Sequence, residues 1–157
     1  MAYGYTLNYM KILAENKKAL FDYEILETIE AGLKLSGHEV KSAKMGQINL
    51  KGAFVNFHKD EAWLTGAYIT KYKMAGNLPD YEPDHTRKLL LHHKQISYLQ
   101  GKQMEKGLTI VPLKVYTSDR LIKVEIGIGR GRKKYDKKEV LKKRDVDREI
   151  RRVLKNG

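Results

Sequence analysis

The 157-residue chain is the size of one domain with a hydrophobic core, since 41% of its residues are hydrophobic. It has no cysteine, which excludes disulfide bonds, thiolate metal sites and cysteine nucleophiles. Residues 130–157 hold 13 Lys and Arg against 5 Asp and Glu, a net charge of +8, whereas residues 1–129 have a net charge of only +4. Clustered basic charge favours a polyanionic partner, either a nucleic acid or an anionic membrane.

The N-terminal region gives no sign of membrane targeting. The first twenty residues lack an apolar core long enough for a signal peptide, and no segment approaches the ~20 apolar residues of a transmembrane helix. A membrane-surface role is also disfavoured, because the basic C-terminal segment has almost no aromatic or strongly apolar face. We therefore expect a cytoplasmic protein with no membrane partner.

Most of the chain has the alternating hydrophobic pattern of β-strands. Residues 21–35 read as one long strand that bends or bulges between Leu26 and Thr28. Two more strands, 50–57 and 62–69, are separated by residues suited to a hairpin turn. The pattern repeats in residues 110–116 and 121–128, where Pro112 indicates a sheet edge or a bulge.

Two segments favour helices. Residues 38–45, closed by Gly46, fit a short helix, and residues 93–106 place Ile96 and Leu99 on one helical face. Residues 87–91 fit either a short strand or a first helical turn. About five strands with small connecting helices are typical of an oligonucleotide-binding-type antiparallel β-barrel.

The C-terminal segment differs from this mainly β body. Its apolar residues are too sparse to bury a helix face, while Glu139/Lys143 and Asp147/Arg151 are favourable i, i+4 pairs. This predicts a basic, helix-capable tail that is flexible when free and becomes ordered on a polyanionic surface. We divide the chain into an N-terminal segment (1–15), a barrel domain (16–129) and a tail (130–157).

Sequence patterns that would indicate a phosphate loop, a metal site or a catalytic site are weak. The glycines from Gly127 to Gly131 follow a predicted strand but open no helix of a dinucleotide-binding unit. His85, His92 and His93 lie near Asp84 without a recognised ligand spacing, and surface or RNA-facing histidines fit them better than a metal site. We find no catalytic constellation, and we expect no enzyme activity, metal or cofactor.

Eight short motifs occur in an order that resembles the SsrA-binding protein family, also called SmpB. The resemblance covers about residues 16–152. The motifs are Asn16-Lys17-Lys18-Ala19, Phe21-Asp22-Tyr23, Glu30-Ala31-Gly32, Glu39-Val40-Lys41-Ser42, Asn49-Leu50, Arg87-Lys88-Leu89-Leu90-Leu91-His92, Gly107-Leu108-Thr109-Ile110-Val111-Pro112-Leu113 and Tyr135-Asp136-Lys137.

The resemblance implies a bacterial RNA-binding protein of ribosome rescue. Members of the family bind the tRNA-like domain of transfer-messenger RNA and deliver it to stalled ribosomes for trans-translation. The resemblance further implies that the tail occupies the vacant messenger path beyond the decoding centre of the small subunit and substitutes for codon-anticodon pairing. The expected partners are therefore transfer-messenger RNA and the ribosome, and we expect a monomer that acts as a one-to-one adaptor.

The resemblance also supplies candidate residues. On the barrel it implies RNA contacts at Asn16, Glu30, Leu90 and His92, with phosphate contacts from Lys17, Lys18, Lys41 and Lys44. A carboxylate on an RNA-binding face is repelled by phosphate. Glu30 therefore makes sense there only if it accepts hydrogen bonds from base amino groups or orients a neighbouring Lys or Arg. Otherwise Glu30 is a solvent-facing strand residue.

The tail candidates begin at the end of the last predicted strand. Tyr135 offers a ring that could stack on an unpaired ribosomal base, and Asp136 could cap the tail helix. The candidates for the decoding centre and the messenger path are Arg132, Lys133, Tyr135, Asp136, Lys137, Lys138, Lys142, Lys143, Arg144 and Arg148. Three residues depart from the family pattern: His38 replaces a common Thr, Arg132 a Lys, and Lys138 an Arg. The last change loses the planar guanidinium fork.

One alternative from another class stays open on charge and fold alone. A ribosomal or general single-strand-binding barrel protein would have the same composition but would not explain the ordered motifs. Equal affinity for arbitrary RNAs would favour that alternative, whereas a preference for the tRNA-like domain would favour the family.

Overall fold

A computed structural model describes residues 10–156, and for Lys134, Tyr135 and Asn156 it describes only the backbone. The strands are β1 Lys11–Glu15, β2 Tyr23–Leu33, β3 Ile48–Asn49, β4 Phe54–His58, β5 Glu61–Thr65, β6 Tyr68–Ile69, β7 Arg87–Leu90, β8 Leu108–Ser118 and β9 Leu121–Gly131. The helices are α1 Lys17–Asp22, α2 Gly37–Lys44, α3 His93–Met104 and α4 Lys134–Asn156, with a 3₁₀ turn at Lys73–Ala75.

Seven strands form one antiparallel sheet in the order β1-β8-β9-β2-β7-β5-β4, and β3 pairs separately with β6. The sheet curls so that β4, at one edge, packs against β8, next to the other edge. A single hydrophobic core fills the interior. The predicted mainly β architecture with small helices is confirmed. The sequence placed the start of the barrel domain at residue 16, but strand β1 already belongs to the sheet at Lys11–Glu15.

The predicted irregularity of β2 is a bulge with a consequence for side-chain direction. The register with β9 shifts between Ile25 and Glu27. One extra residue in a strand reverses the alternation of its two faces. Tyr23 and Ile25 therefore pack with a small outer cluster, whereas Ala31 and Leu33 lie in the main core. Tyr23, Ile25, Ala31 and Leu33 keep an even spacing in the sequence, which by itself would indicate one common face.

Two glycines of β9 are explained by the same outer cluster. A Cβ atom on Gly127 would lie 2.8 Å from Leu113 Cδ1, and one on Gly129 would lie 2.9 Å from Tyr23 Cβ. The glycine-rich pattern therefore serves close packing and gives no support to a phosphate loop. The neighbouring isoleucines point to the opposite face and are buried in the main core, as predicted.

The two predicted hairpins are confirmed. Lys59 and Asp60 join β4 to β5 with φ values of 51° and 60°, the conformation of a two-residue hairpin turn that matches strand twist. Asp119, with φ of 56°, begins the turn between β8 and β9. The register of β8 shifts between Pro112 and Lys114, so Pro112 marks a bulge in an interior strand.

A buried ion pair joins Glu39 of α2 to Arg87 of β7, and Arg87 also bonds to the residue just before β6. Arg87 Nε donates to Glu39 Oε2 at 2.8 Å, and its Nη1 donates to the carbonyl of Ala67 at 2.7 Å. The other carboxylate oxygen, Glu39 Oε1, accepts from the backbone N–H of Ser36 at 3.1 Å. Burial raises the pKa of Glu39, but its bonds to Ser36, Arg87 and His85 outweigh burial and lower that pKa to about 2.

The tail forms the helix α4, which leaves the barrel after β9. Its apolar side chains, including Leu141, Val146 and Ile150, are exposed, as expected from their sparse spacing. Helix formation in this segment agrees with the prediction, and its flexibility in the free protein stays a prediction. Among residues 10–156, no helix is both long enough and apolar enough to cross a membrane.

Candidate RNA-binding surfaces

Three barrel candidates meet in one shallow groove of about 340 Å³. Glu30 comes from β2, Leu90 from the end of β7, and His92 from the residue before α3. Gly32, Leu91, Gln95 of α3 and Lys123 of β9 complete the lining. The sheet therefore brings together residues that are far apart in the sequence.

The pairing of β2 with β7 places Leu90 on the surface. Leu89 is buried, so the next residue of the strand, Leu90, points outward and is 52% exposed. Its partner across the strands is Gly32, which has no side chain to compete for the space. A Cβ atom on Gly32 would lie 3.2 Å from Leu90 Cβ, so the glycine allows Leu90 to lie over the sheet.

His92 is held at the entrance of α3. Its backbone N–H donates to Gln95 Oε1 at 3.0 Å, so Gln95 satisfies one of the unpaired donors at the start of the helix. The His92 ring is exposed at the rim of the groove. The backbone of His92 is thus fixed at the start of α3, and its expected contact with RNA stays a prediction.

Glu30 is oriented from two sides. Tyr116, only 5% exposed, donates its hydroxyl proton to Glu30 Oε2. Lys123 Nζ lies 3.6 Å from Glu30 Oε1. Burial and the bond to Glu30 raise the pKa of Tyr116, so the hydroxyl remains a donor.

This geometry leaves the Glu30 carboxylate accessible, as its expected roles on an RNA-binding face require. Its side chain is 53% exposed, so its oxygens can still accept hydrogen bonds from base amino groups. Lys123 partly neutralises the carboxylate, which reduces repulsion from nearby phosphates. Both roles expected for Glu30, acceptor and orienter of a lysine, are therefore available at this position.

Asn16, a candidate RNA contact, has a structural position in the barrel, and its expected contact with RNA stays a prediction. Asn16 is 4% exposed and caps α1: its Oδ1 accepts from the Ala19 N–H at 3.1 Å, and its Nδ2 donates to the Pro112 carbonyl at 2.9 Å. The side chain therefore leaves little exposed surface. Asn16 joins the start of α1 to the bulge of β8.

The four candidate lysines lie outside the Glu30 groove. Lys17 and Lys18 are exposed on α1, and Lys18 Nζ lies 3.0 Å from Asp22 Oδ2. Lys41 and Lys44 are exposed on α2. The structure therefore separates the candidate phosphate contacts into two basic surfaces, one on each of these helices.

The start of α4 is fixed to α1. The Arg132 N–H donates to the Asp22 carbonyl at 2.8 Å, and Lys137 Nζ lies 3.2 Å from Asp22 Oδ1. Lys137 and Arg144 also lie over the ring of Phe21, at 5.7 and 5.8 Å from its centroid. Hydrogen bonds from Lys18 and Lys137 lower the pKa of Asp22, which is therefore a stable negative anchor for the tail.

Asp136 lies in the first turn of α4 and bonds to the residue before the helix. Its Oδ2 accepts from the backbone N–H of Lys133 at 3.2 Å, which satisfies a donor just before the helix. The side chain of Tyr135 lies outside the described part of the structure, so its expected stacking role stays a prediction. The remaining tail candidates are exposed on α4: Lys138, Lys142, Lys143, Arg144 and Arg148.

Sequence reasoning missed Lys123 and Tyr116. Lys123 alternates with the buried Ile122 and Val124, so its outward direction was readable from the sequence. What the sequence lacked was the register that pairs Lys123 with Gly32 and so places it beside Glu30. Tyr116 gave no signal, since an aromatic residue in a predicted strand is ordinarily part of the core.

The histidines near Asp84 do not form a metal site in the described residues, which include no group of three or more His, Asp and Glu side chains placed to hold a metal ion. His85 Nε2 lies 2.8 Å from Glu39 Oε2, so His85 belongs to the network around Arg87. His92 belongs to the groove.

Comparisons with known proteins agree with the motifs. A family model described as SmpB protein matches residues 13–156. The chain is 48% identical to an SsrA-binding protein of Chloroflexus aggregans, across 94% of each chain. It is 50% identical to an SsrA-binding protein of Enterococcus faecalis, across 94% of this chain and 95% of the relative.

A solved structure gives the same result for the fold. The similar chain comes from a study described as "tmRNA-SmpB: a journey to the center of the bacterial ribosome". The TM-score is 0.64 and the identity is 44%, across 81% of this chain and 92% of that chain.

Proposed function

Because the chain belongs to the SmpB family, we propose that it binds transfer-messenger RNA, the SsrA RNA, and acts with it on ribosomes in trans-translation. Relatives named SsrA-binding protein match it across nearly their full length. The chain is therefore an RNA-binding protein of ribosome rescue, and we assign it no catalytic step.

The groove around Glu30 is the proposed contact for the tRNA-like domain. The observation that carries this proposal is the convergence of Glu30, Leu90 and His92, from three separate elements, on one exposed groove. Leu90 offers an apolar surface for a base or sugar, His92 a ring, and Glu30 an acceptor for base amino groups. Lys123 supplies a positive charge for a phosphate of the same RNA.

The helix α4 is the proposed ribosome contact, at the small-subunit decoding centre and in the vacant messenger path. It is basic and almost wholly exposed, which suits a channel lined by ribosomal RNA phosphates. Its start is held by Asp22 and Phe21, so the tail leaves the barrel in a defined direction. We infer that this junction sets the angle between the RNA-binding barrel and the tail.

The division of labour between barrel and tail is tested by a deletion placed according to the structure. Residues 130 and 131 still pair with β2, so the deletion should begin at residue 134. The chain lacking residues 134–157 should bind transfer-messenger RNA with nearly unchanged affinity. It should fail to release ribosomes stalled on a message without a stop codon in a reconstituted translation reaction.

A second variant keeps the length and helicity of the tail and tests its charge. Replacing Lys142, Lys143 and Arg144 by Gln preserves helix propensity and removes three charges. We expect it to reduce rescue strongly without altering affinity for the RNA. Full rescue by the deletion variant, or a large loss of RNA affinity in it, would contradict the proposed division.

A further inference from the structure

A second groove, of about 310 Å³, lies between the end of α2 and the segment from Thr70 to Met74. Met45, Tyr72 and Met74 form its apolar part. The walls are joined by two hydrogen bonds: Ser42 Oγ donates to the Thr70 carbonyl at 2.5 Å, and the Thr70 N–H donates to the Gln47 carbonyl at 3.0 Å. The groove is thus preformed, and it shares no residue with the Glu30 groove.

Two of its apolar side chains are largely exposed. Met45 is 65% exposed and Met74 is 81% exposed, although methionine is ordinarily a residue of cores. Tyr72, in the same lining, is half-buried. None of the three belongs to either hydrophobic cluster, so the packing of the barrel does not account for them.

The surroundings are positively charged. Lys71 and Lys73 line the groove, and Lys41 Nζ lies 5.7 Å from the centroid of the Tyr72 ring. Lys44 is exposed on the last turn of α2, directly before Met45. In the described part of the chain, no acidic side chain lines this groove.

We propose that this groove binds an unpaired nucleotide of single-stranded RNA. The base lies against the Tyr72 ring and the two methionine side chains, and the flanking phosphates lie on Lys41, Lys71 and Lys73. An aromatic platform bordered by cations is the arrangement that holds single-stranded nucleic acid without reading its sequence. The rim of a protein-binding groove more often carries charges of both signs. A duplex does not fit either, because its base faces are covered by stacking.

This site adds a second RNA contact to the proposed function. It also gives Lys41 a specific role, because these phosphates belong to the nucleotide on Tyr72. This proposal is independent of the Glu30 groove, because transfer-messenger RNA can bind at the Glu30 groove without a nucleotide on Tyr72. The test therefore uses short oligonucleotides and a readout confined to this groove.

The five methionines of the chain provide that readout. The full-length protein, labelled with ¹³C at the methionine ε-methyl groups, is titrated with hexaadenylate RNA at low salt and followed by NMR. Stacked adenines should shift the signals of Met45 and Met74, while Met104, which lies outside the groove, serves as an internal reference. Met45→Leu and Met74→Leu variants assign the two signals.

The controls separate stacking from charge. Tyr72→Ala should weaken the binding reported by Met45 and Met74 about tenfold, and Tyr72→Phe should retain it. Tripolyphosphate and a short RNA duplex should produce little shift at these two methyl groups. Equal shifts with tripolyphosphate, equal shifts at Met104, or unchanged binding by Tyr72→Ala would each overturn the proposal, as would the absence of any shift.

Discussion

The buried carboxylate of Glu39 makes a quantitative prediction about stability in acid. Its pKa in the folded protein is about 2, compared with 4.5 for the ordinary side chain. A carboxyl whose pKa is lower in the folded state stabilises that state above its unfolded pKa, and the stabilisation disappears as the pH falls through the folded pKa. The shift corresponds to about 3 kcal/mol in the free energy of unfolding, lost between about pH 4.5 and pH 2.

The assay is urea unfolding followed by the fluorescence of Trp63, the one tryptophan of the chain, for the wild type and Glu39→Gln. At pH 6 the variant should be about 3–5 kcal/mol less stable, because it leaves the buried Arg87 guanidinium without its counterion. Between pH 6 and pH 2.5 this difference should shrink by about 2.5 kcal/mol. Titrating groups that do not contact Glu39 affect both proteins alike and cancel in the difference.

Glu61→Gln is the matched control. Glu61 also pairs with a cation, Lys88 at 3.1 Å, but both side chains are substantially exposed. Exposed ion pairs contribute little to the free energy of unfolding. The stability of Glu61→Gln should therefore stay close to that of the wild type at every pH. A Glu39→Gln difference that does not change with pH would refute the assignment of acid sensitivity to the Glu39 and Arg87 pair.

The remaining predictions concern the Glu30 groove and the packing of β9. Tyr116→Phe should weaken binding of transfer-messenger RNA by up to about tenfold at fixed salt, and should add little to Glu30→Ala, because the hydroxyl acts through that carboxylate. Additive losses in filter-binding titrations would count against this coupling. Gly127→Ala should cost about 1–3 kcal/mol in urea unfolding, because its Cβ would meet Leu113. Gly131→Ala, where a Cβ meets nothing within 4 Å, should cost much less, and equal losses would exclude the packing explanation.

Local patterns predicted most of the elements of this fold. Alternation identified β2, β4, β5, β8 and β9. The irregular stretch after Ile25 indicated the bulge of β2, and Pro112 indicated an edge or a bulge at the point where β8 has a bulge. The register shift between Ile12 and Ala14 of β1 was not predicted. The sequence did not show that the β2 bulge reverses the two faces of the strand. A shift in register exchanges the faces even when the spacing of the apolar residues stays the same. β1 was missed because it packs as a short edge strand on β8 and carries a mixed sequence.

The candidate sites were predictable only in part. Glu30, Leu90 and His92 came from motifs, and the sheet then placed them together. Asn16 belongs to a motif as well, but the hydrogen bonds that bury it involve Pro112, which is distant in the sequence. Residues such as Lys123 and Tyr116, whose roles depend on strand register and long-range contacts, lay beyond what a single sequence can show.

The most direct test of the central claim is a binding titration of the purified protein at several salt concentrations. The ligands are transfer-messenger RNA, an ordinary tRNA and an unrelated structured RNA of similar length to the first. We expect tight binding of transfer-messenger RNA that persists at raised salt, when phosphate contacts alone would be weakened. Equal, steeply salt-dependent affinity for all three RNAs would contradict the account and leave only a basic barrel protein that binds RNA without selection.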